Sequence, residues 1–402
     1  MAAGVTHVVL ARMGAAETWD DSAVADLVTF DELREIGQAA GLDVLGVTSA
    51  EPFLDTRRDL ETRRAAGLHG GMQFTYRNPK RSTEPGATVA GARSLLVGAR
   101  SYRRDVPAQP RTGTGPAARV ARYVWADDYG TLRHALGSVA DRLRQSGWRA
   151  SVVVDENNLV DRAAAYRAGL GWFGKNSNLL LPGHGSWFVL GSVITDSPLA
   201  GEHEPAALAD GCGTCTRCIE SCPTGAIVAP GVVDARRCLA WSLQVTGPFP
   251  RDQRVALGDR IYGCDDCQEV CPPNRREDRA AGGSANLDPG AVWVPILDLL
   301  DESDDGLMAR FGHWYIPRRE PRYLRRNALI ALGNSADPGD PDPAVRACLE
   351  RYLADPDPML RAHAAWAVRR LGWSDLLQLL DEDSAIEVRE ELAGAAPPSR
   401  AG

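Results

Sequence analysis

The stretch CGTCTRCIESCP, residues 212–223, contains four cysteines in the spacing C-x2-C-x2-C-x3-C, followed by proline. Bacterial ferredoxins use this run to hold [4Fe–4S] clusters. A second run, CDDCQEVCP at 264–272, ends in the same way but has only three cysteines. Three thiols at intervals of three residues suit three corners of a cubane, whereas zinc sites usually place two C-x2-C pairs well apart. The two runs therefore predict iron–sulfur clusters rather than zinc.

The two runs complete each other if they exchange ligands, because in two-cluster ferredoxins the cysteine before the proline binds the other cluster. Cys238 lies outside both runs, in DARRC, and is the nearby cysteine that can complete the second set. Two adjacent clusters of this kind form a one-electron conduit. The expected ligands are Cys212, Cys215, Cys218 and Cys271 for the first cluster, and Cys222, Cys238, Cys264 and Cys267 for the second.

The composition is that of an ordinary globular protein with an unusual concentration of cysteine. The chain has 402 residues, of which 24% are charged and 44% are hydrophobic, and this length suggests two or three domains. Eight of the nine cysteines lie between Cys212 and Cys271, which in a reducing compartment indicates metal rather than disulfides. The ninth, Cys348, lies in a helical pattern and is expected to be a core residue.

Charge and hydropathy exclude several classes of protein. No apolar run approaches the roughly 18–20 residues of a membrane helix, and the N-terminal stretch has no basic region typical of a signal peptide. We therefore expect a cytoplasmic protein. The net charge of −8 argues against indiscriminate nucleic-acid binding, although two arginine-rich stretches allow a local contact with a polyanion.

Strand and helix patterns alternate before the cysteines, and helical repeats follow them. DVLGVTSA, SLLVGARSY, ASVVVDEN and WFVLGSVIT are typical of strands, whereas TFDELREIGQAAGL, LRHALGSVADRLRQSG and VDRAAAYRAG have helical periodicity. DPDPAVR at 340–346 returns as DPDPMLR at 355–361, which is typical of a HEAT-like α-solenoid.

These patterns predict a multidomain α+β protein. The expected segments are a loosely ordered extension at 1–27, a mixed α/β domain at 28–205, a ferredoxin-like two-cluster domain at 206–295 and a HEAT-like helical domain at 296–395.

A glycine-rich stretch, AGLGWFGKN at 168–176, contains G-x-G-x-x-G and nearly fits a P-loop. Both nucleotide motifs require a strand before and a helix after, whereas here a helical pattern precedes and the apolar NSNLLL follows. The stretch is therefore interpreted as neither motif. It is either a helix C-cap in which Gly169 supplies the left-handed residue, or a backbone-lined cradle for a large planar or phosphate-bearing ligand.

Asp155 ends the apolar strand SVVVD, upstream of this stretch. A carboxyl at a strand end beside a glycine-rich loop suits a proton donor whose pKa is raised by a partly apolar pocket. The same residue is also suited to capping the following helix or forming an Asx-turn. The residues alone leave both roles open.

The combination of VDENNLVDRAAAYRAGLGWFGKN with the two cysteine runs and DARRC resembles the epoxyqueuosine reductases, and the resemblance covers roughly 28–390. It implies a nitroreductase-like mixed α/β domain that binds cobalamin, beside two [4Fe–4S] clusters. It also implies reduction of epoxyqueuosine to queuosine at the wobble position of tRNA, with Asp155 as the proton donor. The cobalamin contacts that it implies are Arg81, Asp155, Arg162, Lys175, Asn176 and the backbone of Leu179, Leu180 and Leu181.

The resemblance also implies two partners. One is the tRNA anticodon arm, and the other is a low-potential electron donor that the sequence does not identify. We expect a monomer without membrane association. The stretch PRREPRYLRR at 317–326 offers contacts to RNA phosphates, namely Arg318, Arg319, Arg322, Arg325 and Arg326.

Two positions depart from the pattern of this family. Gly130 stands where the family usually has a histidine after Asp-Tyr, and Asp161-Arg162 stands where it often has Glu-Arg. The change at Gly130 leaves room for another substrate. The alternatives are a corrinoid reductase of a small molecule, similar to the reductive dehalogenases, and an electron-transfer ferredoxin without catalysis of its own.

Overall fold

The computed structural model describes residues 28–104, 115–202, 208–280, 289–339 and 342–398, so the predicted extension at 1–27 lies outside the described residues. Within these ranges, no helix has the length and apolar character needed to cross a lipid bilayer.

The strands are β1 (Val44–Ser49), β2 (Ser94–Ser101), β3 (Ala117–Val120), β4 (Ala150–Val154), β5 (Trp172–Phe173), β6 (Leu179–Leu180), β7 (Phe188–Thr195), β8 (Ile227–Ala229), β9 (Val232–Val233), β10 (Arg260–Tyr262) and β11 (Trp293–Pro295). The helices are α1 (Phe30–Ala39), α2 (Leu54–Ala65), α3 (Pro79–Ser82), α4 (Asp128–Gln145), α5 (Asp161–Arg167), α6 (Arg217–Glu220), α7 (Leu239–Ser242), α8 (Arg251–Leu257), α9 (Asp266–Glu269), α10 (Pro272–Ala280), α11 (Pro289–Val292), α12 (Ile296–Asp301), α13 (Asp304–Phe311), α14 (Arg322–Ser335), α15 (Pro343–Leu353), α16 (Pro358–Leu371) and α17 (Ile386–Ala393).

The four predicted strands form one antiparallel sheet in the order β1-β2-β7-β4. The central strands β2 and β7 pair along their whole length, from Ser94 opposite Thr195 to Ser101 opposite Phe188. A strand covered on both faces needs an apolar residue at successive positions, and the side chains from Leu95 to Val97 are completely buried. The strand predictions in this region are therefore confirmed.

Helices cover both faces of this sheet. On one face, α1 and α4 pack through residues such as Leu33 and Leu136. On the other face, α5 packs through its alanines, among them Ala164. Small residues on α5 allow its backbone to approach the sheet closely, which places the loop after the helix at one end of the strands.

A second sheet joins distant parts of the chain. β3 pairs in parallel with β10, from the cysteine region, and antiparallel with β11. The segment from Ala117 to Trp125 belongs to the same hydrophobic core as the cysteine region and the C-terminal helices. The cysteine region and the helical tail therefore share one continuous core. Residues 117–125, which precede the cysteines in the sequence, contribute to the same core.

The repeated DPDP motif begins two helices of the tail. Asp342 accepts a hydrogen bond from Ala344 N at 2.8 Å, and Asp357 accepts one from Met359 N at 2.9 Å. A proline follows each aspartate in the first helical turn, where its missing N–H leaves no intrahelical bond unmade. The second aspartate of each motif is therefore the N-terminal cap of α15 or α16.

Two buried arginines fasten the tail to the cysteine region. Arg254 and Glu391 form an ion pair at 2.9 Å, with side chains 3% and 2% exposed. Arg326 is completely buried and donates to the carbonyl oxygens of Val245 at 2.8 Å and Gly247 at 2.6 Å. These contacts hold the loops around the cysteines against α14 and α17.

Candidate functional site

The eight predicted ligand cysteines lie near one another in the structure. The thiol of Cys271 is close enough to interact electrostatically with Cys212, Cys218 and Cys215. In the same way, Cys264 and Cys267 are close to Cys238, and Cys238 is close to Cys222. Cys271 thus lies near the first run, and Cys222 lies near Cys238. We call Cys212, Cys215, Cys218 and Cys271 the outer set, and Cys222, Cys238, Cys264 and Cys267 the inner set.

The two sets differ in depth. Gly213 and Arg217, in the loop of the outer set, are exposed, whereas Tyr262, beside the inner set, is buried. Burial raises the pKa of the Cys264 thiol to about 12 and that of the Cys271 thiol to about 11. Metal-binding cysteines are deprotonated, so iron binding at these positions would release protons.

The donor set fits two clusters. All eight cysteines are free thiols, and four thiolates are the usual ligands of a [4Fe–4S] cluster. Within the described residues, no three Cys, His, Asp or Glu side chains converge on a point that a single metal ion could occupy. The two sets are therefore assigned from which thiols lie near one another, and not from a shared centre around which the thiols are arranged.

Asp155 follows the last residue of β4 and has a left-handed backbone conformation, with φ of 53°. This conformation is uncommon for a residue with a side chain and is found preferentially at functional sites. The side chain reaches solvent, but the surrounding protein still desolvates it. Desolvation raises the pKa of Asp155, the nearby Arg133 opposes this shift, and Glu156 adds to it. An accessible carboxyl with a raised pKa is suited to proton donation.

The helix after Asp155 does not use it as a cap. The helix α5 begins at Asp161, and its cap position is Val160, which makes no side-chain hydrogen bond to the helix. The alternative interpretation of Asp155 as an N-cap is therefore wrong.

Buried polar atoms without protein partners lie near Asp155. Among the described residues, Asp161 Oδ1 and Ser177 Oγ make no hydrogen bond. Desolvation raises the pKa of Asp161 well above its usual value, and the charge of Asp155 raises it further. The exposed Arg162 donates to Ser177 O at 2.7 Å. Unpaired polar atoms beside an accessible acid are expected where a polar ligand binds.

The glycine-rich loop has the order predicted for it. The helix α5 ends before Gly169, whose φ of 69° supplies the left-handed residue, and the hairpin β5–β6 follows. A Cβ at Gly171 would lie 2.2 Å from Leu180 O, so glycine permits the close approach of the two strands. The order helix, loop, hairpin differs from the strand, loop, helix of both nucleotide motifs.

The end of this loop contacts the cysteine region. Lys175 Nζ donates to Gly213 O at 2.7 Å, and Asn176, which is 5% exposed, donates its side-chain amide to Cys267 O at 3.2 Å. Both side chains are thus directed to the cysteine loops. The predicted cobalamin contacts Leu179, Leu180 and Leu181 have buried side chains, which leaves only their backbone for a ligand.

Arg81 lies on α3, which is attached to the loop that carries Asp155. Ser82 Oγ donates to Asn157 O at 2.9 Å, and Thr75 N donates to Asn157 Oδ1 at 2.7 Å. The side chain of Arg81 is exposed. The structure thus brings Arg81 into the same region as Asp155.

Sequence reasoning did not identify two tyrosines beside Asp155. Desolvation raises the pKa of Tyr129 and Tyr262, and the charge of Asp155 contributes to both shifts. The ring of Tyr123 lies 6.1 Å from that of Tyr262. Phenols of raised pKa stay protonated and can donate hydrogen bonds. The aromatic-rich RYVWADDYG contains Tyr123 and Tyr129, but no local signal indicates Tyr262.

Gly130 lies next to Tyr129, in the first turn of α4. Asp127 caps this helix and accepts a hydrogen bond from Gly130 N at 2.8 Å. A Cβ at Gly130 would lie 2.1 Å from Asp127 Oδ2, so a larger residue would displace the capping carboxylate. At the position where the resemblance leads us to expect a histidine, this chain therefore has a glycine in the tightly capped first turn of α4.

The five arginines predicted to contact RNA are not equivalent. Arg318 and Arg319 are exposed and left-handed, with φ of 51° and 57°. Arg322 and Arg325 are 42% and 14% exposed and form ion pairs. Arg326 is completely buried, and its guanidinium donates hydrogen bonds to carbonyl oxygens of the cysteine region. The prediction that Arg326 contacts RNA is therefore wrong, because a buried side chain cannot reach a phosphate.

Two segments match known protein families. Residues 211–274 match the 4Fe-4S double cluster binding domain, and residues 315–396 match HEAT repeats. These matches confirm the predicted cluster region and the predicted helical repeats.

Curated relatives that match along most of this chain are named epoxyqueuosine reductase. An epoxyqueuosine reductase of Xanthomonas campestris pv. campestris is 36% identical over 350 residues, which are 85% of this chain and 95% of the relative. A crystal structure of epoxyqueuosine reductase with a tRNA-Tyr epoxyqueuosine-modified tRNA stem loop has a TM-score of 0.79 and 30% identity, and covers 90% of this chain and 96% of that chain. The Bacillus subtilis enzyme, in a structure with its catalytic aspartate loop swung out of the active site, gives the same four values, TM-score 0.79, 30%, 90% and 96%. Because such identity extends over nearly all of both chains, this protein belongs to the epoxyqueuosine reductase family.

Proposed function

We propose that this protein reduces epoxyqueuosine in tRNA to queuosine. The observation that carries the proposal is the position of Asp155, an accessible carboxyl of raised pKa. Its charge acts on Asp161, and the adjacent Arg162 donates to Ser177 O at 2.7 Å, at the end of the loop that contacts both cysteine sets. Membership of the epoxyqueuosine reductase family supports the substrate. The relative that was crystallised with an epoxyqueuosine-modified tRNA stem loop supports RNA as the partner.

The reaction requires both electrons and protons. Converting an epoxide to an alkene breaks two C–O bonds, forms one C=C bond and releases the oxygen as water, which consumes two electrons and two protons. Asp155 stays protonated to higher pH than an ordinary aspartate because its pKa is raised, so it can deliver a proton to the leaving oxygen. The catalytic aspartate loop of the Bacillus subtilis relative supports this role.

Cobalamin fits the polar atoms that the protein leaves unpaired beside Asp155. We assign the exposed Arg81 and Arg162 to its polar periphery, with Asp161 Oδ1 and Ser177 Oγ as further partners. When bound, this cofactor supplies low-valent cobalt as the reductant. The remaining predicted contacts are the backbone of 179–181 and the loop of Lys175 and Asn176.

We assign one [4Fe–4S] cluster to the outer set and one to the inner set. The match of 211–274 to a double-cluster family supports this assignment. When bound, the clusters transfer electrons one at a time from an external low-potential donor. Iron analysis after anaerobic reconstitution is expected to give about eight irons per chain, because each cubane holds four. About four irons would refute the second cluster.

The RNA surface is proposed to lie at the turn that precedes α14. Arg318 and Arg319 are exposed there, beside Tyr315, which is 60% exposed. Tyr315 N donates to Tyr262 Oη at 2.8 Å, and Tyr262 feels the charge of Asp155, so this surface adjoins the proposed active site. Arginines suit RNA phosphates, and an exposed tyrosine suits stacking on an unpaired base.

Deletion of the gene tests the function directly. We expect mass spectrometry of tRNA nucleosides from the deletion strain to show loss of queuosine and accumulation of epoxyqueuosine. Unchanged queuosine would exclude the proposal. A reconstituted chain whose visible spectrum shows no cobalamin binding would favour an electron-transfer ferredoxin instead.

A further inference from the structure

The glycine-rich loop is the junction between the α/β domain and both cysteine sets. Trp172 packs against Gly211, where a Cβ would lie 2.5 Å from the indole ring. Lys175 reaches Gly213 O at 2.7 Å, and Asn176 reaches Cys267 O at 3.2 Å. The loop therefore touches the ligand loops of the outer and the inner set within a few residues of each other.

Lys175 places a cation at this junction. Gly213 lies between Cys212 and Cys215, so the hydrogen bond to its carbonyl places an ammonium group beside two ligands of the outer set. The backbone of Lys175 is held as well, because its carbonyl accepts from Gly231 N at 2.9 Å. Asp210, two residues before Cys212, accepts a hydrogen bond from Cys212 N at 2.8 Å.

The use of lysine here contrasts with the rest of the chain. Lysine occurs only at positions 80 and 175, among 45 basic residues. The ammonium of lysine is a compact point charge, whereas the guanidinium of arginine is planar and spreads its charge. Either cation carries the same net charge, so the charge of Lys175 can be tested separately from its shape.

We propose that Lys175 is a positioning residue that raises the reduction potential of the outer cluster while it fixes the loop of Cys212 and Cys215 to the α/β domain. A cluster gains negative charge when it takes up an electron, so a nearby cation stabilises its reduced form. Net charge and hydrogen bonding around a cluster are known to set its potential. Lys175 would thus make the outer cluster easier to reduce by the external donor.

The test is an anaerobic redox titration of the reconstituted full-length protein, followed by electron paramagnetic resonance. We expect Lys175→Gln, which keeps a hydrogen-bond donor but loses the charge, to shift one cluster to a more negative midpoint potential. Lys175→Arg should stay close to the wild-type potential. Lys80→Met is the matched control, because it removes the other lysine, which is exposed on α3, and should shift neither cluster.

Two results would overturn the proposal. One is a Lys175→Gln protein with normal iron content and wild-type potentials for both clusters. The other is loss of iron in Lys175→Gln with normal iron in Lys175→Arg, since the charge would then serve assembly and not the potential. The inference rests on the cluster assignment of the proposed function but not on its substrate. A wild-type protein with about four irons per chain would refute the assignment itself, whatever the effect of Lys175.

Discussion

The guanidinium of Arg326 donates a hydrogen bond to the carbonyl oxygen of Gly247 at 2.6 Å, from a side chain that solvent does not reach. Arg326 also donates to the carbonyl oxygens of Ser242, Leu243 and Val245. One side chain thus supplies the donors for the loop that follows α7. Its role is to join the cysteine region to the helical tail.

Replacement of Arg326 by methionine should destabilise the protein strongly. Several buried carbonyl groups would lose their donor, and each unsatisfied group costs about 1–3 kcal/mol. We expect the free energy of unfolding to fall by at least about 3 kcal/mol, measured by urea denaturation. Arg346→Met, which breaks a surface ion pair with Asp375, should cost less than about 1 kcal/mol. Equal losses in the two variants would contradict a special role for Arg326.

Loss of Glu391 should also be costly, for an electrostatic reason. Arg254 and Glu391 are both nearly completely buried, so Glu391→Ala leaves a buried cation without its counter-ion. Breaking a buried ion pair in this way typically costs about 3–5 kcal/mol. The measurement is again urea denaturation. Glu390→Ala, one residue away on α17, is the matched control, and a similar loss in that variant would argue against the ion pair.

Asp155→Asn should lower turnover sharply while leaving the cofactors in place. Asparagine has nearly the same shape but no acidic proton, and removal of a general acid typically lowers the rate by about 10²–10⁴-fold. Iron content and the visible spectrum of added cobalamin should match the wild type. Full activity of the variant would remove Asp155 from the mechanism.

The pH dependence of turnover should follow the protonation of Asp155. Desolvation raises its pKa, and only the protonated form can donate. The rate is therefore expected to be maximal below this raised pKa and to fall as pH rises through it. Steady-state turnover across a pH series measures this decline. The residual rate of Asp155→Asn should not fall with pH in this way. The same fall in the variant would show that another group titrates.

The double variant Arg318→Ala, Arg319→Ala should weaken RNA binding with little effect on the fold, because both side chains are exposed and the variant loses one exposed hydrogen bond, from Arg319 to Gly312 O. Loss of a phosphate contact lowers affinity and reduces the salt dependence of binding by about one unit of slope per contact. Fluorescence anisotropy with an anticodon stem loop at several salt concentrations checks both quantities. Arg34→Ala removes an exposed charge from α1 and serves as the control. The same affinity for the double variant and for Arg34→Ala would exclude this surface.

Local patterns in the sequence were sufficient for much of the fold. The four central strands and the left-handed Gly169 after α5 each depend on neighbouring residues. The cysteine spacing was equally informative, because the geometry of a cluster constrains its ligands. These features are predictable because the interaction that determines each of them lies within a short stretch of chain.

Other features depend on residues far apart in the sequence. The pairing of β3 with β10 and β11 and the proximity of Tyr262 to Asp155 have no local signal. Arg326 was misassigned because composition alone suggests a solvated basic run. Helical spacing was the available clue, since Tyr323 and Ile330, three and four positions away, share the buried face of α14.

The unequal depth of the two cysteine sets has a consequence for handling the protein. Molecular oxygen attacks iron–sulfur clusters from solvent, so the cluster beneath the exposed Gly213 and Arg217 should decay before the one beside the buried Tyr262. A preparation exposed briefly to air would then keep half of its iron while its remaining cluster is cut off from the electron donor. Iron content would overstate the active fraction of such a sample, and the colour that survives would belong to the cluster that no longer receives electrons.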